Sequence, residues 1–176
     1  MEKGEPPRLG WVVFAPGERP KGFSMELGRE FVSALFPRKT QIFAAEAVAV
    51  LTALVLAPES LSNRELVWFI DNEASLSSLI RGTSRAEDVG RIAACTQVAM
   101  LEHSCIAWYE WIDSDSNPAD RLSRDGVSDQ WTMSQGWELT ELPPMAFRKA
   151  TEHMNQETVQ RIIGAAPQQP ILPSGQ

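Results

Sequence analysis

One acid inside a long apolar run constrains this chain more than any other feature. From Ile42 to Ala57, 16 residues reading IFAAEAVAVLTALVLA contain a single charged side chain, Glu46, and Pro58 follows at once. The alanine-rich composition predicts a helix over 42–56, and a helix that is apolar nearly all round is buried on several sides. An ionised carboxylate left unpaired in such a place costs on the order of several kcal/mol. Two readings meet that cost: the helix turns one edge to solvent at Glu46, or Glu46 faces a cation. The run is short for a bilayer span and carries a charge that hydrocarbon resists, so it reads as a core helix of a soluble protein.

The flanking pattern alternates short strands with helices. Leu9 to Ala15 (LGWVVFA) is β-branched and aromatic and ends at the Pro16-Gly17 turn, with Phe23 to Leu27 as its hairpin partner. Leu27 to Phe36 has the spacing of a short helix. Glu65 to Ile70 (ELVWFI) reads as a strand covered on both faces. A short helix over 72–81 follows, closed by Gly82, with Leu76, Leu79 and Ile80 on one stripe. A longer helix over 86–103 turns Val89, Ile92, Ala93 and Met100 inward, and Cys105 to Ile112 is another strand. Asn117 and Pro118 open a helix running to about Arg124, as N-cap and first helical residue. The expected fold is α/β, a mixed sheet flanked by helices. Residues 1–8 read as a polar lead-in and 9–125 as the domain. A C-terminal extension over 126–163 has a possible amphipathic helix from Phe147, and 164–176 reads as a disordered tail.

With 176 residues and 43% hydrophobic content, the chain suits one domain plus tails. No secretory signal is visible in MEKGEPPRLG. Cys95 and Cys105 lack the His/Cys company of a zinc site and read as buried thiols in a reducing, intracellular compartment, cytoplasmic or nuclear. The formal charge of −7 matters more. Phosphate neutralisation supplies most of the affinity of an autonomous nucleic-acid binder, and this chain has no such overall footprint. Any work on nucleic acid needs a local basic rim or a neighbouring domain.

Two further acids stand at telling positions. Asp71 follows ELVWFI directly, at the carboxyl end of a strand, the edge where open α/β sheets bind ligands. Helix capping by Asp71 or Asn72 is the plainer alternative. Asp120 lies in NPADRLSR, where a carboxylate at the third helical position completes a capping box. Each acid alone has an ordinary explanation.

Together they resemble a family. AEAVAVLTAL is similar to the ribonuclease H helix whose glutamate binds metal. VWFIDNEASLSSLIRG resembles that fold's fourth strand with its catalytic aspartate, and SNPADRLSR its closing helix with the last one. The S-x-x-N-x-A-D-x-x-S-R form resembles, above all, type-1 ribonuclease H domains of retroelement reverse-transcriptase polyproteins. The order Glu, Asp, Asp with gaps of 25 and 49 residues fits that family, over roughly residues 9–125. Transposases and integrases of the wider superfamily end on glutamate instead.

The resemblance implies two-metal hydrolysis of the RNA strand of an RNA–DNA hybrid, with Glu46, Asp71 and Asp120 as catalytic ligands of two Mg²⁺ (or Mn²⁺) ions. The hybrid is read by shape and 2′-hydroxyls, and an upstream polymerase domain is the expected covalent partner. Arg81, Thr83, Ser84 and Arg85 after the Asp71 helix, and Arg38 and Lys39 before the Glu46 helix, are candidate phosphate contacts or plain solvated turns. Trp68 and Trp111 are expected in the core.

One departure is large. The family's first strand carries an aspartate that binds both metals and lies mid-sheet, between the second and fourth strands. MEKGEPPRLG has no such strand, and Glu2 and Glu5 are its only acids. The natural protein then extends upstream, or the chain is a truncated or decayed copy, or the sheet repacks across the gap. The histidine many members place before the last aspartate is also absent, residues 113–116 reading Asp-Ser-Asp-Ser. A catalytically inactive ribonuclease H-like scaffold or interaction module is the competing reading. A metal-free α/β binding protein leaves Glu46 unexplained.

Overall fold

The computed structural model describes residues 7–35, 37, 41–144 and 146. The chain opens with an antiparallel hairpin, β1 (Arg8–Val13) and β2 (Lys21–Glu26), followed by α1 (Arg29–Ala34). The apolar run forms α2 (Ile42–Leu56), and Pro58 starts a separate short helix, α3 (Pro58–Leu61), which the sequence pattern does not announce. Next come β3 (Glu65–Ile70), α4 (Glu73–Arg81), α5 (Glu87–Glu102), β4 (Ile106–Trp111) and α6 (Asp120–Asp125). The last two elements are α7 (Gln130–Ser134) and β5 (Glu138–Leu142). The class is α/β, with parallel and antiparallel pairing flanked by helices. Among the described residues, no helix is long and apolar enough to cross a membrane.

Strand pairing divides into two sheets. One has the order β1-β2-β5, with β2 and β5 parallel; the other is the parallel pair β3-β4. The first sheet therefore continues past residue 125. Its third strand, β5 (ELTEL), lies in a segment with too few apolar residues to read as a strand, and pairing with β2 overrides that weak local signal. The possible helix from Phe147 and the tail over 164–176 lie outside the described residues.

The core lies where α2 meets its neighbours. Ala44, Ala47, Val48, Val50, Leu51, Ala53 and Leu54 of α2 are buried, packing with Leu9, Trp11, Phe23 and Met25 of the hairpin and with Val89, Ile92, Ala93 and Met100 of α5. Small alanines let the flanking elements approach α2 closely, as its composition predicts. Trp11 stacks on Phe23, its cross-strand partner, with ring centroids 5.3 Å apart.

The opposite face of the hairpin is built for contact with α6. Gly10, Ser24 and Gly22 present almost no side chain there, and Leu122 of α6 is wholly buried. The Ser24 hydroxyl donates to the Leu122 carbonyl at 3.0 Å. A Cβ on Gly10 would stand 2.5 Å from the Ser123 nitrogen and 2.8 Å from the Ala119 carbonyl oxygen. Those are backbone atoms, so they cannot swing aside. At the sheet's rim, Arg8 donates to Ser24 at 3.1 Å and to Glu26 at 2.7 Å and also bonds Glu141, linking all three strands.

Three expectations are corrected. The β3-β4 sheet is covered on one face only: Leu66, Trp68, Ala107 and Tyr109 pack on the core, while Val67 (56% exposed), Phe69, Ile106 and Trp108 face outward. A continuous apolar strand thus hides an alternation in accessibility, since every residue of ELVWFI but Glu65 is apolar. Trp111, at the end of its strand, is 52% exposed and not a core residue. Ile80 likewise faces out, whereas Leu79 on the same helix is buried.

Gly10→Val should drive β1 and α6 apart. We expect a loss of about 1–3 kcal/mol in urea unfolding, the usual range for overpacking a close contact. Stability within a few tenths of wild type would show that α6 is not seated on Gly10.

Candidate functional site

Glu46, Asp71 and Asp120 come from three separate parts of the fold, and both aspartates act electrostatically on Glu46. Glu46 sits in the second turn of α2, Asp71 follows the last residue of β3, and Asp120 begins α6. All three are half-buried. Two local features set their positions. The Ser75 hydroxyl, buried at the start of α4, donates to the Phe43 carbonyl at 2.8 Å and so pins the head of α4 to the head of α2. The close seat of α6 on Gly10 fixes the start of that helix beside β1. Neither residue is a site residue in the sequence reading. A glycine inside an otherwise β-forming run was the visible signal for Gly10; Ser75 had none.

The capping alternatives resolve differently for the two aspartates. Asn72, not Asp71, caps α4, its side chain accepting from the Ser75 backbone at 3.0 Å. Asp71 is therefore free of that duty. Its Oδ1 is buried and has no hydrogen-bond partner among the described residues. For Asp120 the expected helix start is displaced. Asn117 accepts from the Ala119 backbone at 3.0 Å, residues 118–119 form a turn, and α6 begins at Asp120 itself, so no capping box forms. Asp120 Oδ1 instead accepts from Arg124 one turn on, at 3.0 Å from Nε and 2.9 Å from Nη2.

The electrostatics of Glu46 follow from this placement. Burial, first of all, then the charge and hydrogen bonding of Asp71, then the charge of Asp120, push its pKa up to about 8. Every one of these influences raises it, and among the described residues no lysine or arginine acts the other way. Ionised, Glu46 and Asp71 offer each other only lone pairs. A proton on Glu46 supplies the hydrogen bond that joins them. A proton or a metal cation can provide the positive charge that Glu46 and Asp71 do not find in each other.

The donor set suits a hard divalent cation, since all three side chains offer carboxylate oxygen and Asp71 Oδ1 is a buried acceptor without a donor among the described residues. The acids are nevertheless not a ready-made cage. Among the described residues, no three His, Cys, Asp or Glu side chains lie close enough together to hold a metal ion. Coulombic influence reaches further than coordination, so the two observations agree. Asp71 and Asp120 act on Glu46 through space, and Asp120 Oδ1 is turned toward Arg124.

The other candidates lie apart from the acids. Arg81, Thr83 and Arg85 are exposed and Ser84 is half-buried, all at the far end of α4, roughly 13 Å of helix from Asn72. Arg38 and Lys39 lie outside the described residues. Asp113 caps the following turn by accepting from the Asp115 backbone at 2.9 Å, and both acids are exposed. Cys95 and Cys105 are free and half-buried rather than buried.

The raised pKa makes stability pH-dependent with a definite sign. The folded protein keeps a proton on Glu46 that the unfolded chain, with its carboxyl at 4.5, releases. Stability on this account falls as pH rises from 4.5 to about 8. Glu46→Gln removes that loss. Its Tm should exceed wild type by about 5 °C at pH 9 and match it near pH 4.5; parallel Tm–pH curves for the two proteins would contradict the buried, protonated Glu46. No family model, curated protein or solved structure matches this chain, so the site is read from its own chemistry.

Proposed function

We propose that this chain carries the metal-binding acids of a ribonuclease H-type nuclease, hydrolysing the RNA strand of RNA–DNA hybrids as part of a retroelement reverse-transcriptase polyprotein. One observation carries the reading above the rest. The sole charge in a 15-residue apolar helix is acted on by two aspartates 25 and 74 residues away in sequence, with no basic side chain among the described residues to balance it. Structural acids in a core are paired with cations or hydrogen-bond donors. Carboxylates gathered at the carboxyl end of a strand are what a divalent-metal site needs.

Mg²⁺ or Mn²⁺ bound here supplies an activated water and charge stabilisation at a phosphodiester. Within the chain, Asp71 would be the most committed ligand, because its buried Oδ1 has no hydrogen-bond partner among the described residues. Glu46 would ligate as its carboxylate, and Asp120 would offer the oxygen that Arg124 leaves free. The exposed Arg81 and Arg85 stand far enough away to meet backbone phosphates rather than the reacting bond. The net charge of −7 leaves most of the hybrid's affinity to a neighbouring domain, the upstream polymerase on this reading.

A second reading, an inactive ribonuclease H-like scaffold, is favoured by a specific observation: the acids do not form a coordinating group of three among the described residues. Calorimetry separates the two. Titration with Mg²⁺ or Mn²⁺ should show weak binding, roughly 10⁻⁴–10⁻³ M, with proton release near pH 7 as Glu46 ionises. Absence of divalent binding by folded protein supports the scaffold. In an upstream-extended chain, Asp71→Asn should abolish hybrid cleavage; cleavage at the wild-type rate removes Asp71 from the mechanism.

A further inference from the structure

Parallel strands in α/β proteins are covered on both faces, because helical layers flank the sheet on each side. The pair β3-β4 has only its inner cover, where Leu66, Trp68, Ala107 and Tyr109 pack on the core. On the outer face Phe69 is 59% exposed, Trp108 66% and Ile106 70%, beside the exposed Val67. These four side chains together open roughly 500 Å² to water, at the upper end of the largest patch an ordinary monomer shows and a size at which such patches are often functional.

The strand register gives this face a pattern. Its three rows are Glu65 beside Ile106, Val67 beside Trp108, and Phe69 beside Glu110. An apolar centre therefore carries one exposed glutamate at each end, on opposite strands, and no basic residue. The Trp108 indole donates to Glu110 at 2.7 Å, and the exposed Asp113 and Asp115 lie just past the same end of β4. Two strands about 5 Å apart, with their side chains, match the width of a single helix, about 10 Å. The face is also smaller than the ~800 Å² per partner of a standard protein–protein interface. A second copy packing the same face against it would bring two more glutamates and no cation, which like-charge repulsion opposes.

We propose that the bare face of β3-β4 seats one amphipathic helix of a partner protein, with an apolar stripe on Val67, Phe69, Ile106 and Trp108 and a lysine or arginine meeting each of Glu65 and Glu110. The helix supplies the layer that the parallel pair lacks. Glu65 and Glu110 stand four rungs of the ladder apart, about 13 Å, which a helix lying along the strands spans in about nine residues. The two basic side chains are therefore about nine positions apart, on opposite flanks of the stripe. Burial of the stripe gives the affinity, and the two acids set partner choice and direction. None of this involves Glu46, Asp71 or Asp120, so it holds whether or not those acids bind metal.

NMR titration of the full chain tests it, with the Trp108 indole N–H as reporter. The probe is a peptide of about 14 residues with a leucine stripe at helical spacing and two lysines nine positions apart, on an alanine–glutamine background. One control replaces both lysines with glutamate, and another keeps the composition but scrambles the stripe. The lysine peptide should shift the Trp108 indole and the β3 and β4 amides, binding about tenfold or more tighter than either control. Reversing both acids, Glu65→Lys with Glu110→Lys, should turn the preference to the glutamate peptide, and Trp108→Ser should weaken binding of the lysine peptide. No binding, binding that leaves Trp108 unmoved, or equal binding of the lysine peptide and either control would overturn the proposal. So would a Trp108 indole already shielded from water in the free protein. Shielding that depends on concentration would mark a second copy as the cover, and shielding that does not would mark the chain itself.

Discussion

Glu46 must be either neutral or compensated, and much of the functional end of the molecule follows from that constraint. It stands on α2, the helix at the centre of the core, where its carboxyl is half-buried and burial is the largest influence on it. What it meets there is more negative charge. Proteins avoid that arrangement in a purely structural core, because desolvation and like-charge repulsion add. Stability is spent here on a cluster of acids, a pattern characteristic of functional sites.

The supporting architecture is local and specific. A hydroxyl from α4 grips the backbone of α2, and a glycine in β1 admits α6 to backbone contact. Those two features bring acids from distant parts of the sequence to one place. The same architecture leaves the site open on one side, since the edges of β1 and β3 face each other across a cavity. Glu46 lines that cavity, so whatever enters it changes the surroundings of the Glu46 carboxyl.

Much of the fold was legible from sequence where hydrophobic period and punctuation agreed. The helix at 42–56 and the strand at 65–70 have the bounds the pattern predicts, because Pro58 and the turn at Ser62–Asn63 bound them sharply. The Gly82 stop holds because that residue adopts a left-handed conformation, φ 65°. Other features were hidden. β5 is held by pairing with β2, a long-range effect invisible in ELTEL itself. The open face of β3-β4 was hidden because an apolar strand with one face bare looks like one with two faces covered. For the site, the three acids were legible as a set, through the isolation of Glu46 and the position of Asp71 after a strand. The Asp120–Arg124 pair was not read from the sequence, and neither was Ser75 as the clasp between helices.

The most direct measurement is the pH titration of the Glu46 carboxyl carbon by NMR, with and without Mg²⁺. The account predicts a midpoint near 8 in metal-free protein, moving down markedly when Asp71 is replaced by asparagine and also when Mg²⁺ is added. A midpoint near 4.5 that neither change moves would mean that Glu46 faces water alone, and the site described here would not exist.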